Sequence, residues 1–295
     1  GNTDNNADNK ELLMTHALVA AENKNFTQAT RSLERLVTLN RETSFAHYNL
    51  GLIAQEQEDS DRALTHYEKV APGKHFLPAT QKILEILKSR NQLNAARELL
   101  DSLRTQYPRI ATTLWSYEAQ LLAENQLYED AYQLLSSAIL RYPQQHQLRM
   151  ERSYISEKLG RIDLVEQDIR YILEREPNNP NALNALGYIL ADRTTRYVEA
   201  RDLIEQAMKL MPNNAAITDS MGWVLYKQND IEGAIKHLEQ AFKLITDDEI
   251  AAHLIEVYWT NNQFTEARKV YKKIRKHSEK TPKVDATIER LNIDF

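Results

Sequence analysis

Residues 180–245 contain one sequence unit twice, and this internal repeat constrains the fold more than any other feature of the chain. Leu186-Gly187 returns as Met221-Gly222, and the small or aliphatic residues after it return at a spacing of 34: Ala200, Ile204 and Ala207 become Ala234, Leu238 and Ala241. A self-match near 34 residues is typical of an array of helix-turn-helix units. One such unit cannot bury both of its faces, whereas stacked neighbours can. The repeat therefore predicts a stack of helical hairpins.

Each unit contains two apolar stripes at helical spacing, separated by a short polar turn. In the clearest unit the stripes are Leu183, Leu186 and Leu190, then Ala200, Leu203, Ile204 and Ala207. A glycine inside a helix costs about 1 kcal/mol relative to alanine. We therefore expect Gly187 to serve the close packing of two helices.

The units can be counted along the chain from a small residue that recurs near the start of each second helix. These residues recur at spacings of 33 to 35: Ala29, Ala63, Ala96, Ala131, Val165, Ala200, Ala234 and Ala267. They predict eight hairpins, and the one-residue differences in spacing are assigned to the turns. Residues 1–9 are expected to be a disordered linker or tag remnant, residues 10–280 the hairpins, and residues 281–295 a terminal helix that covers the last hairpin.

The repeated residues resemble the tetratricopeptide repeat (TPR). The resemblance implies an all-α, right-handed superhelical solenoid of about eight repeats with a C-terminal capping helix. It also implies a protein-binding groove lined by first-helix residues: Tyr154, Asn184, Tyr188, Asp192, Asp219, Trp223, Tyr226, Glu256 and Trp259. Aromatic side chains beside convergent polar groups suit a bound peptide segment. A second interpretation stays open, in which Trp223 and Trp259 pack between neighbouring hairpins.

No motif of an enzyme active site occurs in the chain. The GxSxG, P-loop, GxGxxG and HExxH patterns are absent, so the chain is predicted not to be an enzyme, with no catalytic residues and no cofactor. Cysteine is also absent, which excludes disulfides and thiolate chemistry. The net charge of −5 argues against nucleic-acid binding through bulk electrostatics. No apolar run approaches the length of a membrane-spanning helix.

Two groups of charged residues have a structural and a functional interpretation. Glu249 and His253, spaced i, i+4, are expected to be a surface pair, and no metal site is predicted because a third ligand is missing. The basic run 268–283 is expected to be a solvated helix face. Its alternative is contact with anionic lipid head groups or an acidic partner.

Two arginines interrupt the apolar pattern of the fifth repeat. Arg149 and Arg152 lie one helical turn apart. We expect them to form ion pairs with Glu166 or Asp168 on the partner helix, because structural ion pairs are the commoner arrangement. An anion-binding site is the alternative.

The C-terminal third of the chain contains a more specific pattern than the repeat itself. Its distinctive pieces are Leu186-Gly187-Tyr188 with Ala191-Asp192-Arg193-Thr194, then Asp219-Ser220-Met221-Gly222-Trp223, then Ala252-His253-Leu254. This pattern is similar to the C-terminal repeats of proteobacterial outer-membrane TPR lipoproteins that act as adaptors of the carboxyl-terminal processing protease.

The resemblance implies a non-catalytic adaptor on the periplasmic face of the outer membrane. It would bind a PDZ-containing serine protease, deliver substrates such as peptidoglycan hydrolases, and touch the membrane only through a lipid anchor. The lipid-bearing cysteine does not occur here, which trimming of the chain after that cysteine would explain. One alternative is a TPR scaffold for cell-envelope or peptidoglycan synthesis machinery without a protease partner. Another, disfavoured by the missing active-site motifs, is an enzyme fragment that lacks its catalytic domain.

Overall fold

The computed structural model describes residues 9–295, and helices joined by short turns make up most of this stretch. Its described residues form seventeen α-helices and no strands. In chain order the helices are α1 (Lys10–Glu22), α2 (Phe26–Thr38), α3 (Thr43–Glu56), α4 (Ser60–Tyr67), α5 (Phe76–Ser89), α6 (Leu93–Gln106), α7 (Ala111–Glu124), α8 (Tyr128–Arg141), α9 (His146–Lys158), α10 (Ile162–Arg175), α11 (Pro180–Arg193), α12 (Tyr197–Leu210), α13 (Ala215–Lys227), α14 (Ile231–Leu244), α15 (Asp248–Thr260), α16 (Phe264–His277) and α17 (Pro282–Leu291). The prediction of an all-α fold of eight hairpins and a terminal helix is confirmed.

Helix α1 begins at Lys10, directly after the segment expected to be a linker. Residues 1–8 of that segment lie outside the described residues. Asn9 is the N-cap of α1, and its side chain accepts hydrogen bonds from the backbone N–H groups of Glu11 and Leu12. Such a cap satisfies donors that the first helical turn leaves unpaired.

The eight small residues that mark the start of each second helix are all buried. Seven of them are alanines with no exposed surface, and Val165 is 2% exposed. Each lies in the first turns of a second helix, where it faces the first helix of its own hairpin. Small side chains at these positions allow the two helices to approach closely.

Seven of the eight hairpins share one turn. A residue after the first helix adopts the left-handed conformation, and the next N–H donates to the carbonyl five residues earlier, as Asp230 does to Leu225. The left-handed residues are Lys24, Glu58, Asn91, Gln126, Gly160, Asn229 and Asn262. The α11–α12 turn differs, because Thr194 is extended there and its hydroxyl donates to Leu190 O at 2.5 Å. As in the other hairpins, three residues separate the two helices.

Two compact units divide the chain, and the division falls within α7, after Glu118. The buried residues of the first unit include two separate clusters, one from Ala17 to Ile53 and one from Ala54 to Ile86. In the second unit one continuous cluster runs from Val165 on α10 to Ile293 beyond α17. The predicted groove residues all belong to this second unit.

Helix α17 packs against α15 as the first helix of a further repeat would. The carboxylate of Asp248 on α15 accepts hydrogen bonds from the backbone N–H groups of Lys283, at 2.7 Å, and of Val284, at 3.1 Å. It therefore caps α17 from the neighbouring helix. Val284 has no exposed surface, so the terminal helix covers the last hairpin as expected.

Candidate functional site

The nine residues predicted to line a groove lie on the first helices of the last four hairpins. Tyr154 is on α9; Asn184, Tyr188 and Asp192 are on α11; Asp219, Trp223 and Tyr226 are on α13; Glu256 and Trp259 are on α15. Their exposure differs widely. Tyr154 is 53% exposed, whereas Trp223, Asp219 and Glu256 are 4%, 5% and 7% exposed. The other five are half-buried, so the set divides into an interior network and a more open rim.

Trp223 lies inside the interior network and connects three hairpins. Its indole N–H donates to Asp192 Oδ1 on α11 at 3.1 Å. Its ring stacks on the imidazole of His253 on α15, with centroids 4.2 Å apart and planes 21° apart. The ammonium of Lys227 lies 4.7 Å from the indole centroid. Trp223 therefore adopts the packing arrangement that the sequence left as the alternative to an open groove position.

A buried carboxylate–imidazole pair lies beside this tryptophan. The Nδ1–H of His253 donates to the two carboxylate oxygens of Asp219 at 2.9 and 3.0 Å. Burial alone would lower the pKa of His253, but the charge and hydrogen bond of Asp219 raise it above its ordinary value, with Glu249 and Glu256 adding to the effect. The pair thus favours the protonated imidazole, whose Nδ1–H is hydrogen-bonded to both oxygens of Asp219.

The expected surface pair of Glu249 and His253 is wrong. His253 is only 7% exposed and bonds to Asp219 from the preceding hairpin. The carboxylate of Glu249 instead accepts from the Tyr188 hydroxyl at 3.3 Å and from the Lys283 ammonium at 3.4 Å. Sequence spacing within one helix could not reveal partners contributed by three other helices.

Tyr188 joins the network through its hydroxyl. The hydroxyl oxygen lies 3.5 Å from His253 Nε2 and donates to Glu249. Burial and the nearby carboxylates of Glu249 and Asp192 raise the pKa of Tyr188. The phenol therefore stays neutral at physiological pH and acts as a donor.

Glu256 is a buried carboxylate held by the terminal helix. The guanidinium of Arg290 on α17 donates to both of its oxygens, and the Tyr226 hydroxyl lies 3.5 Å from one of them. Burial raises the pKa of Tyr226, and Glu256 adds to the shift. Arg290 follows Glu256 by 34 residues, as Lys283 follows Glu249. This repeat-length offset is a sequence signal that could have identified both partners.

Trp259 lies near the end of α15, away from the Trp223 network. It is half-buried and contacts Phe264 and Phe295 edge-on, with centroids 4.5 and 5.8 Å away. Phe295 also stacks on Tyr271 at 4.7 Å. Trp259 therefore belongs to an aromatic group at the C-terminal end of the second unit.

The open rim consists of Tyr154, Asn184 and the outer edge of Asp192. Tyr154 has the ammonium of Lys158 near its ring, at 5.0 Å. The side-chain Oδ1 of Asn184 is buried and has no hydrogen-bond partner. Asp192 accepts from Arg193 at 2.8 Å on the oxygen that Trp223 leaves free. Of these groups, Tyr154 is the most exposed to solvent.

The two arginines of the fifth repeat form the ion pairs expected of them. Arg152 donates to both carboxylate oxygens of Asp168, at 2.7 and 2.6 Å, and Arg149 reaches the same carboxylate at 3.2 Å. The guanidinium of Arg149 also lies 3.6 Å from the ring centroid of Tyr171. Asp168 is 2% exposed, so two cations compensate one buried charge, and the anion site is not favoured.

No group of three potential ligands that could hold a metal ion occurs in the part of the chain that the structure describes. Among residues 9–295 no helix is long and apolar enough to cross a membrane. The basic run 268–283 lies mainly on α16, and its cations are exposed to solvent.

Similarity to known sequences points to the TPR family. The tetratricopeptide repeat model matches residues 14–75 and 220–283. A TPR repeat-containing protein of Pseudomonas aeruginosa is 44% identical over 211 residues, which cover 72% of this chain and 36% of that protein. The chain thus spans about a third of the length of this relative.

Similar solved structures show the same fold. Yeast Tom70 superposes with a TM-score of 0.63 at 14% identity, over 98% of this chain and 64% of that one. A tetratricopeptide repeat protein from Parabacteroides merdae gives a TM-score of 0.56 at 14% identity, over 95% and 97% of the two chains. At this level of identity the likeness supports the fold and says nothing about partners.

Proposed function

This chain is a tetratricopeptide repeat protein, and we propose that it is a periplasmic adaptor that binds a carboxyl-terminal processing protease and delivers substrates such as peptidoglycan hydrolases. TPR folds generally act as non-catalytic scaffolds that bind other proteins. Within that class, the choice of a protease adaptor rests on the sequence pattern of the last three hairpins. Attachment to the periplasmic face of the outer membrane through a lipid is part of the same proposal.

One observation carries the proposal. The residues that distinguish the adaptor-like pattern from a generic repeat are the residues that contact one another in the interior network. Asp192, Trp223 and His253 come from three different pieces of that pattern, and they are joined by a hydrogen bond and a ring stack. A generic repeat needs only small and aliphatic residues to pack its helices. The contacts among these three residues therefore support the proposal that this part of the chain is specialised as an adaptor and is more than a generic repeat.

The network would act by holding the rim in place. Asp192, whose outer edge belongs to the rim, is fixed by Trp223 and Arg193. Side chains that are already ordered lose less entropy when a partner binds. A rigid array that holds a protease and its substrate together also turns their encounter into an intramolecular event.

Affinity purification of the tagged chain from its native cell envelope tests the partner class. We expect the processing protease and a peptidoglycan hydrolase among the recovered proteins. Recovery of cell-wall synthases without the protease would overturn the proposal in favour of a scaffold for synthesis machinery.

A binding measurement with the purified protease tests the site. Replacing Tyr154 and Asn184 together by alanine should weaken binding at least about tenfold, because both belong to the open rim and aromatic anchors carry much of the energy of an interface. The control is Leu140→Ala, which removes an apolar side chain that is 85% exposed on the second helix α8. Equal loss in the control, or no loss in the rim variant, would show that the first-helix face does not bind the protease.

A further inference from the structure

A short motif recurs where the second helices of the last three hairpins end. Lys209, Lys243 and Lys276 occupy the same position, nine residues after Ala200, Ala234 and Ala267. Apolar residues follow the first two lysines, and all four are exposed: Leu210 by 45%, Met211 by 39%, Leu244 by 46% and Ile245 by 57%. The corresponding positions of the other five hairpins contain no lysine. We call these seven residues the helix-end row.

The lysines of the row have no acidic partner. In the described part of the chain, no carboxylate lies within salt-bridge distance of Lys209, Lys243 or Lys276, and all three are exposed. Arg201, a surface cation on α12, is by contrast paired with Glu205 at 2.8 Å. The row thus carries positive charge that the fold does not neutralise.

The segment around Lys276 is strongly basic, although the whole chain has a net charge of −5. Residues 264–283 contain eight lysines and arginines and two glutamates. Arg268, Lys269 and Lys272 are exposed on α16, the helix whose end carries Lys276. In an acidic protein, one basic segment has a local preference for anions that the net charge of the whole chain opposes.

The three helix ends belong to consecutive hairpins of the second unit. Helices α12, α14 and α16 occupy the same place in three consecutive hairpins that share a single core. A lysine near a helix C-terminus is favoured by the helix dipole, which explains the cations but not the exposed leucines and isoleucine beside them. Exposed apolar side chains next to cations are typical of surfaces that contact lipid.

We propose that the helix-end row docks on an anionic membrane surface. The lysine ammonium groups would lie at the level of the lipid phosphates, and Leu210, Leu244 and Ile245 would insert between the head groups. The apolar side chains are exposed at helix ends, which suits insertion into a soft surface better than binding of a rigid acidic protein. The first-helix face, with its interior network and rim, stays free for a protein partner. This inference does not depend on the identity of that partner.

Sedimentation with lipid vesicles tests the proposal. The full chain should bind vesicles of phosphatidylcholine mixed with phosphatidylglycerol and should not bind vesicles of phosphatidylcholine alone. Raising the salt concentration should release it, because screening weakens attraction between exposed charges. Failure to bind the anionic vesicles, or equal binding to both kinds, would overturn the proposal.

Two variants and one matched control locate the contact. The triple variant Lys209→Gln, Lys243→Gln and Lys276→Gln should reduce vesicle binding at least about tenfold, since each lysine near an anionic surface contributes about 1 kcal/mol. The double variant Leu244→Ser and Ile245→Ser should also reduce it, although its charge is unchanged. The control is Lys24→Gln, Lys69→Gln and Lys74→Gln, which alters net charge equally at exposed positions of the first unit. An equal loss in this control would show that only net charge matters, and full binding by the lysine variant would exclude the row.

Discussion

Hairpins α3–α4 and α13–α14 begin from the same sequence pattern and pack differently. A Cβ atom added to Gly51 would lie 2.4 Å from the ring of Tyr67, and one added to Gly222 would lie 2.6 Å from the side chain of Leu238. Tyr67 and Leu238 occupy equivalent positions, four residues after the small residue of each second helix. In the first unit an aromatic ring fills the space beside the glycine, and its hydroxyl bonds to Gln55. In the second unit an aliphatic side chain fills it.

The second helices of these two hairpins also differ in length. Helix α4 ends at Tyr67 after eight residues, whereas α14 continues for fourteen. The loop after α4 contains Pro72, which disfavours helix at the residue before it. A surface cavity of about 430 Å³ opens there, lined mainly by apolar side chains.

The burial of individual helices also differs between the two units. Ten of the thirteen residues of α13 are buried, but α6 buries only Ala96 and Leu100. The same repeat signature therefore produces unequal burial along the chain.

Removing the Trp223 side chain should have the largest effect. Trp223→Ala leaves a cavity between three hairpins and should lower the free energy of unfolding by about 3–5 kcal/mol. Circular dichroism during urea unfolding measures this change. Tyr154→Ala on α9 is the control, and its exposed side chain should contribute less than about 0.5 kcal/mol. Similar losses in both variants would contradict the division into interior network and rim.

Filling the glycine contact of the seventh hairpin should have the next largest effect. Gly222→Leu forces a side chain against Leu238 and the carbonyl oxygen of Ala234, and should destabilise the protein by about 1–3 kcal/mol. A thermal melt tests this. Ala216→Leu adds bulk on the exposed side of α13 and should leave the melt unchanged. An unchanged melting temperature for Gly222→Leu would mean that α13 and α14 can move apart at this contact without loss of stability.

Hydrogen exchange compares the two regions without mutation. Amides of α13 and α14 should exchange at least about tenfold more slowly than those of α5 and α6, a difference of about 1.4 kcal/mol in opening free energy. The reason is the fuller burial of α13. Peptide-resolved mass spectrometry makes the measurement. Equal protection in the two regions would show that the short α4 and the poorly buried α6 do not weaken the first unit.

Titration of His253 should produce the smallest effect. Its pKa is raised in the folded state, so its contribution to stability is complete below the ordinary histidine value of 6.5. That contribution is lost as the pH rises from there through the folded-state value, because the unfolded chain gives up its proton first. The effect is isolated by measuring the free energy of unfolding of the parent and of His253→Gln at several pH values from 6.5 upwards. A parent that gains stability relative to the variant as pH rises would contradict the Asp219 pairing.

The hairpins themselves could be predicted from the sequence because their cause is local. The small residues at repeat spacing are all buried, and seven of the eight hairpins use the same left-handed turn. Helical periodicity and turn chemistry act within a few residues of the chain, so they can be recognised in one sequence. The helices that carry the nine site residues were also predicted correctly.

The burial of the nine site residues and the side chains they contact depend on packing between repeats. Trp223 and Tyr154 lie on equivalent kinds of helix, yet one is buried by His253 and Asp192 and the other faces solvent. Asp219 meets His253 across 34 residues of sequence. The sequence by itself determined the number of hairpins and the first helices that carry the predicted site residues. Only the stacking of those helices decided which side chains became interior and which stayed open, because that outcome depends on how closely neighbouring hairpins approach one another.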